Sequence, residues 1–393
     1  MLASQVLLLS VLRVTVLAPE RCPPPGPAAT DNAIEAAVAW LTANVEPDGR
    51  FLYRYQPEED LVVPGYHIVR HAGALVALEQ AATAGWPAAA EAAEAGWAFV
   101  ERNLVDVQDG LAFLDSGAMA DTGAAALAVV AWTMRHQRQG PAAAQGDAQI
   151  LGLGRFLVGQ VEATGAVASA RDRSSGALLG PRSRFYTGEV AWALQRLAVA
   201  YPGGGFDEPA ARVLRYLVHE RDRVERWFPA VADHWAAYAL ADAAQPELFA
   251  ERADGYRRVL AGRFAIQVRW ESQRRVGQLR SALTRGRPAT GAALGTLGEG
   301  LGQLALAARS GSGSRHVSAE EWSKGLERQL ACVAGLLVER QISPARAAEL
   351  PVPARAAGAW LAGGITQVDD QQHALSALLV YRALLAGREG SAR

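Results

Sequence analysis

From Asn32 onward the apolar residues of this chain recur every third and fourth position, with no convincing run of period two between them. That spacing lays apolar side chains along one face of an α-helix, whereas a half-buried strand alternates. The chain must therefore bury its apolar surface by packing helix on helix, and the fold class is all-α. The pattern predicts twelve helices, over about residues 32–45, 69–85, 88–104, 121–138, 147–161, 186–201, 208–220, 231–243, 246–262, 290–309, 318–340 and 368–387. Breaks such as Pro47-Asp-Gly, Gly85-Trp-Pro and Pro202-Gly-Gly-Gly separate them. Asp31, Asp121 and Ser318 stand at N-cap positions, and Ser318-Ala-Glu-Glu fits a capping box. No composition shift marks a second domain, so residues 32–393 read as one helical domain preceded by an apolar segment and Pro-rich linker over 1–31.

Twelve helices can form an α-solenoid, two bundles or a closed ring of six hairpins. A solenoid requires near-identical repeats of about 34–45 residues, and the sequence has no such self-similarity. What recurs is a polar or aromatic cluster at a helix start, followed by small residues. The clusters are Tyr66-His-Ile-Val-Arg-His-Ala-Gly, Arg184-Phe-Tyr-Thr-Gly-Glu, Ala232-Asp-His-Trp-Ala-Ala-Tyr and Thr366-Gln-Val-Asp-Asp-Gln-Gln-His. In a ring, the N-terminal ends of the inner helices share one mouth, and such clusters converge there. The Ala and Gly that follow let inner helices approach closely.

Several of these residues carry a resemblance. Phe51-Leu-Tyr with Arg70-His-Ala-Gly, Tyr186-Thr-Gly-Glu189 and Asp233-His-Trp resemble motifs of the (α/α)6 toroid proteins of the six-hairpin glycosidase and terpenoid-cyclase-like group, over about residues 32–387. The resemblance implies a single (α/α)6 toroid with its site in the ring mouth. It identifies architecture better than reaction, because the group includes glycoside hydrolases, sugar epimerases, polysaccharide lyases and isoprenoid enzymes.

Composition sets outer limits. With 393 residues, 50% hydrophobic and 20% charged, the chain has ample core and is neither disordered nor collagen-like. Thirty-nine basic against forty acidic residues leave a net charge of −1, and aromatic residues are not interleaved with basic ones, so nucleic acid is not an expected partner. Lys324 is the sole lysine, a bias that reads as the codon composition of a GC-rich genome and makes each arginine less informative. Two cysteines, Cys22 and Cys332, exclude a disulfide framework and a cysteine-based zinc cluster; Cys332, in an apolar run, reads as a small buried residue. Residues 1–18 are nearly all apolar and run into the linker CPPPGPAATD, the order of an export signal or short anchor followed by a flexible stem. Arg13 interrupts that apolar core and no basic residue precedes it, so a misassigned start or an ordinary cytoplasmic extension stays open beside export and membrane attachment.

Four clusters supply the candidate site. His67 and His71 are four apart, with Arg70 one turn after His67, which on a helix gives a mouth-facing imidazole pair and a guanidinium to anchor hydroxyls or a carboxylate. The pair lacks the glutamate of a zinc protease and a third ligand at a recognisable spacing, so no metal is expected. Glu189, three residues after Tyr186, sits in the first turn of its helix, where it can cap or act as a carboxyl of raised pKa against an aromatic wall. Asp233, His234 and Trp235 combine a carboxylate, an imidazole and an aromatic platform suited to sugar rings, although Asp233 also fits an N-cap. Asp369 and His373 stack at i,i+4 while Asp370 points about a quarter-turn away; the run is neither the DDxxD magnesium motif nor the DxDD motif of isoprenoid enzymes. Glu299, an acid within a Gly-rich apolar helix, is a secondary candidate.

The reading that follows is a carbohydrate-active enzyme without cofactor, acting on a glycan or other small molecule by carboxylate and histidine acid–base chemistry. Glu189, Asp233, Asp370, His71 and His373 are its candidate catalytic groups; His67, Arg70, Tyr186, His234, Trp235 and Asp369 are its candidate substrate contacts. A close carboxylate pair would favour hydrolysis, and dominance of His, Arg and Tyr would favour a uronate lyase or epimerase. The alternatives are a non-catalytic, envelope-associated toroid that binds a glycan or protein, and an isoprenoid-processing toroid.

Overall fold

The computed structural model describes every residue except 1, 16–19, 21, 108–109, 114–118, 141–145, 181, 243–249, 275–278, 310–318 and 392–393. Twelve helices build the body: α1 (Pro27–Ala43), α2 (Ile68–Thr83), α3 (Pro87–Arg102), α4 (Thr122–Gln139), α5 (Asp147–Gly159), α6 (Tyr186–Ala200), α7 (Asp207–His219), α8 (His234–Ala241), α9 (Ala250–Glu271), α10 (Ala292–Arg309), α11 (Ala319–Arg340) and α12 (Val368–Ser391). Each matches one of the periodic segments, with ends shifted by up to about five residues, except that α9 runs nine residues past its expected end at 262. Ser318, the expected cap of α11, lies outside the described residues. Short helices at Arg221–Glu225, Leu279–Arg285 and Pro344–Ala347 lie in the connections.

The even-numbered helices pack each on the next, and α12 packs on α2, so the inner ring is closed. The odd-numbered helices lie outside it. Burial separates the two sets as physical chemistry requires. Residues Thr122 through Thr133 of inner helix α4 are buried without a break, whereas outer helix α7 buries only Pro209, Ala210, Val213, Leu214, Tyr216 and Leu217, one face. A helix surrounded by protein has no polar face to keep. Close approach inside the ring depends on small residues. At the contact of α10 with α12, a Cβ on Gly295 would overlap the backbone carbonyl of His373, and one on Gly298 would lie 2.6 Å from the Ala377 methyl. The Gly-rich stretch around Glu299 is thus the packing surface of α10.

The all-helical expectation missed eight short strands. β1 (Arg54–Gln56), β2 (Leu61–Val62), β3 (Leu104–Val107), β4 (Gly110–Phe113), β5 (Met119–Asp121), β6 (Ala170–Asp172), β7 (Leu178–Leu179) and β8 (Thr366–Gln367) form small antiparallel sheets. β1 pairs with β8 through Arg54 opposite Gln367, and β5 with β6 through Asp121 opposite Ala170. Runs of two to four residues are too short to print a period of two. Their role is positional, since β8 leads directly into α12 and β5 into α4.

The N-terminal linker is fastened to the ring. Cys22 and Cys332 form a disulfide, with Cα atoms 5.0 Å apart across 310 residues of sequence. Nearby, Arg269 pairs with Glu20 at 3.2 Å and the Tyr381 hydroxyl donates to the Pro25 carbonyl at 3.1 Å. The segment read as a flexible stem is a strap, and Cys332 is more than a small buried residue. One cysteine pair with no local spacing gives sequence reasoning nothing to match. Replacing Cys22 by Ser and Cys332 by Ala is expected to lower unfolding free energy by about 2–4 kcal/mol. Equal urea midpoints for the oxidised wild type and the variant would contradict this. Ahead of the strap, Leu2–Thr15 is helical with Val6 through Leu9 exposed. No described helix is long and apolar enough to cross a membrane.

Candidate active site

Carboxylates close three of the inner helices at the mouth. Asp121 caps α4, accepting from the Ala124 amide at 3.0 Å, and its second oxygen accepts from the Tyr186 hydroxyl at 3.0 Å. Asp233 caps α8, accepting from the Ala236 amide at 3.1 Å, while its other oxygen pairs with Arg221. Both side chains of that ion pair are fully buried. Asp370 reaches from α12 to the amide of Ala292, the first residue of α10, at 2.9 Å. Unpaired N–H groups and the positive end of each helix favour a carboxylate at these places whatever the chemistry of the mouth. Asp233 and Asp370, expected to be catalytic, thus hold structural posts. Burial pushes the Asp370 carboxyl up to about 7, and its Oδ2 has no hydrogen-bond partner.

The side chains left to face one another come from α8, α10 and α12. His373 on α12 shares a 2.6 Å hydrogen bond between its Nδ1 and Glu299 Oε2 of α10. The His234 ring, at the start of α8, meets His373 edge-on at 4.9 Å between centroids, with its Nε2 3.9 Å from Glu299. Glu299 also accepts from the Tyr238 hydroxyl at 3.2 Å. On the other side, His373 Nε2 lies 3.7 Å from Asp369, which pairs with Arg70 at 3.5 Å. Arg70 is fixed in turn by the Tyr53 hydroxyl and by Gln367, both at 2.9 Å. Glu299 is 1% exposed and His234 3%.

Environment drives the two imidazoles apart. Burial, helped by the neighbouring His373, holds His234 well below its ordinary pKa, and neither of its nitrogens has a hydrogen-bond partner among the described residues. Burial also works against a charge on His373, but the Glu299 carboxylate beside it, with Asp369 and Asp370, lifts it above the ordinary value. The result is a neutral imidazole with free lone pair and N–H against one that retains its proton. Glu189, from α6, is raised well above the ordinary carboxyl range by burial and then by Asp121, Asp233 and Asp369, and its Oε2 is unbonded among the described residues. Trp235 lies against both histidines, at 4.3 Å from His234 and 5.7 Å from His373, and Phe185, 38% exposed, covers His234 from outside at 5.9 Å.

The expected His67–His71 pair does not form. His67 is the N-cap of α2, with extended backbone at φ −143°, so the i,i+4 geometry of a helix does not relate it to His71. His71 points away from the mouth toward α3, between the Tyr66 hydroxyl at 2.6 Å and the Gly96 carbonyl at 3.0 Å. Burial lowers it to about 4, which makes it a neutral core residue. Glu299, a secondary candidate by sequence, stands instead between His234 and His373 and accepts from Tyr238, while Asp121 and Arg221 hold Tyr186 and Asp233. The signal for Glu299 was an acid among glycines, which tells of close packing but not of a histidine on the helix opposite. Ligand atoms of His234, Glu299 and His373 lie within 4.8 Å of one another, a spacing open to a metal ion, which would have to replace the hydrogen bond between Glu299 and His373.

No protein-family model matches the sequence, and no curated protein matches it significantly. Solved structures do match in shape. An unsaturated glucuronyl hydrolase specific for heparin superposes with a TM-score of 0.62 at 11% identity, covering 92% of this chain and 99% of that one. A D-mannose isomerase gives a TM-score of 0.57 at 12% identity, covering 91% and 97%, and the cellobiose 2-epimerase of Spirochaeta thermophila DSM 6192 gives 0.56 at 14%, covering 91% and 96%. At such identities the likeness speaks for the path of the chain, and the closed ring of six inner and six outer helices is the same in kind. In fold, the chain is a single (α/α)6 toroid.

Proposed function

We propose that this toroid is a carbohydrate-active enzyme that moves a proton on carbon, as an epimerase or isomerase of a sugar bound in the mouth. The observation that carries this is the apposed pair His234 and His373, one neutral and unbonded, the other holding a proton against Glu299. Proton abstraction next to a carbonyl needs a base and an acid of different pKa within reach of adjacent atoms. In such a step His234 takes the proton from the carbon beside the sugar carbonyl, the C–H electrons pass to the carbonyl oxygen, and His373 supplies the proton that oxygen requires. Return of a proton to the opposite face of that carbon, with the enol O–H proton going back to His373, inverts the centre; return to the former carbonyl carbon, with the neighbouring hydroxyl giving up its proton as it becomes the new carbonyl, gives the isomer. Trp235 and Phe185 offer flat apolar surface to a sugar ring, and Arg70 offers donors to hydroxyls or a carboxylate. The isomerase and epimerase among the similar structures support the same class.

Hydrolysis is the second reading, favoured by Glu189, a buried carboxyl of raised pKa with an oxygen unbonded among the described residues. Its partner would have to be Asp370, one oxygen of which is held by the Ala292 amide, because Asp233 is engaged with Arg221 and the start of α8. Incubating the protein in D2O with free aldoses, ketoses and uronates, and separately with oligosaccharides, distinguishes the two. The proposal expects deuterium at the carbon beside the carbonyl together with a new epimer or ketose. Release of reducing ends without deuterium on carbon would replace it with hydrolysis.

A further inference from the structure

At the end of the ring opposite the mouth, the inner helices frame a cavity of about 410 Å³. Met134, Leu306, Leu379 and Val380 give it apolar walls, and Ser376 and Gln80 give it polar points. Ser376 is 2% exposed, and neither its Oγ nor Gln80 Oε1 has a hydrogen-bond partner among the described residues. A helical serine can return its hydroxyl to the carbonyl one turn back; here it does not, and a buried donor and a buried acceptor are left for something in the cavity. The charges nearby are already matched. Arg138 pairs with Glu79 at 3.0 Å and Arg196 with Asp242 at 3.1 Å, so each guanidinium lining the cavity has its charge matched by a carboxylate, and Arg138 Nη2, which makes no hydrogen bond among the described residues, is a further donor for a neutral oxygen. Tyr238 forms the partition with the mouth, lining the cavity while its hydroxyl accepts from Gln80 at 3.3 Å and donates to Glu299 at 3.2 Å.

We propose that this cavity is a second small-molecule site, for a compact uncharged molecule with an apolar body and a hydroxyl or carbonyl edge, and that its occupancy is felt at His373 through Tyr238 and Glu299. The volume lies at the small end of ligand pockets, roughly 300–1,000 Å³, and the mixture of apolar wall with a few unpaired polar atoms is what such pockets share. Ser376 Oγ would donate to the ligand's oxygen, and Gln80 Oε1 would accept from its hydroxyl. Because Gln80 also holds Tyr238, a ligand bound to Gln80 alters the hydrogen bond that Tyr238 makes to Glu299, and so the setting of the His373 proton. The coupling rests on these contacts and not on which reaction the mouth performs.

Benzyl alcohol, benzoate and benzylammonium, alike in size and different in charge, are suitable probes for the full-length chain. Titration followed by imidazole nitrogen and proton resonances is expected to show saturable binding of benzyl alcohol at one site, at least about tenfold tighter than either ion, with a shift at His373. Ala383→Trp and Ala84→Trp, which fill the rim from within α12 and from the end of α2, should each abolish it. Ser376→Ala should weaken it roughly fivefold, as for the loss of one net hydrogen bond. The site assignment fails if no saturable binding occurs, if either ion binds as tightly, or if both rim variants, shown folded by circular dichroism, bind unchanged. Binding without any response at His373 overturns the coupling.

Discussion

Asparagine in place of His234 or His373 is expected to lower turnover on the substrate found in the sugar screen by about a hundred- to ten-thousand-fold, the usual contribution of a positioned acid or base. Asparagine fills similar space and still hydrogen-bonds, so the fold should stand while the proton is lost. The two variants should differ in one respect. His234 has no hydrogen-bond partner to disappoint, whereas removing His373 leaves Glu299 buried without its strongest partner. The His373 variant should therefore be the less stable of the two. The pH profile of the wild type follows from the same environment. As pH falls through the ordinary imidazole range near 6.5, activity should hold, because His234 is kept neutral by a depressed pKa. As pH rises it should decline only above that range, where the raised His373 loses its proton. Retention of full turnover in both asparagine variants would remove the histidine pair from the chemistry.

The second large effect is on stability. Arg221 and Asp233 form an ion pair with no exposed side-chain surface, and Asp233 at the same time caps α8. Breaking a buried pair from one side leaves the other charge without compensation, a loss of about 3–5 kcal/mol. Arg221→Met is expected to lower unfolding free energy by that amount in urea or thermal denaturation. Asp233→Asn should be close behind, since the amide can keep the cap but cannot neutralise Arg221. Loss of activity in an Asp233 variant would then reflect a displaced His234, one residue along, and must be read beside the denaturation curve. A shift below about 1 kcal/mol in both variants, the scale of exposed pairs, would show that the pair is solvated.

The helices were legible because each inner or outer surface repeats its apolar spacing over ten or more residues. Two caps were legible, since Asp121 and Asp233 each precede a small-residue helix and accept the amide three residues on, whereas Asp31 lies inside α1, which begins after Gly26, and pairs instead with Arg382 at 2.6 Å. Within α12, the stacking of Asp369 on His373 and the turning away of Asp370 follow directly from helical geometry, and both occur. The same rule failed for His67 and His71, because it holds only when both residues are helical and His67 lies one position before the helix begins. Contacts between helices left no local trace. Glu299 meets a histidine 74 residues further on, Arg221 meets Asp233 across a loop, and Cys22 meets Cys332 across nearly the whole ring. Those pairings depend on the path of the chain, which residue spacing does not encode.

Closure of the inner ring by α12 against α2 also fixes how this architecture can change. An open stack of hairpins has two bare ends, needs polar terminal repeats, and can gain or lose a unit at either end. A ring has no bare end to protect, as each hairpin covers the next. It cannot drop one without exposing two apolar faces and altering the circumference on which His234, Glu299 and His373 are spaced. Variation in length must therefore go into the connections, and it is these, at the rim, that can reshape what the mouth admits while the number of hairpins stays at six.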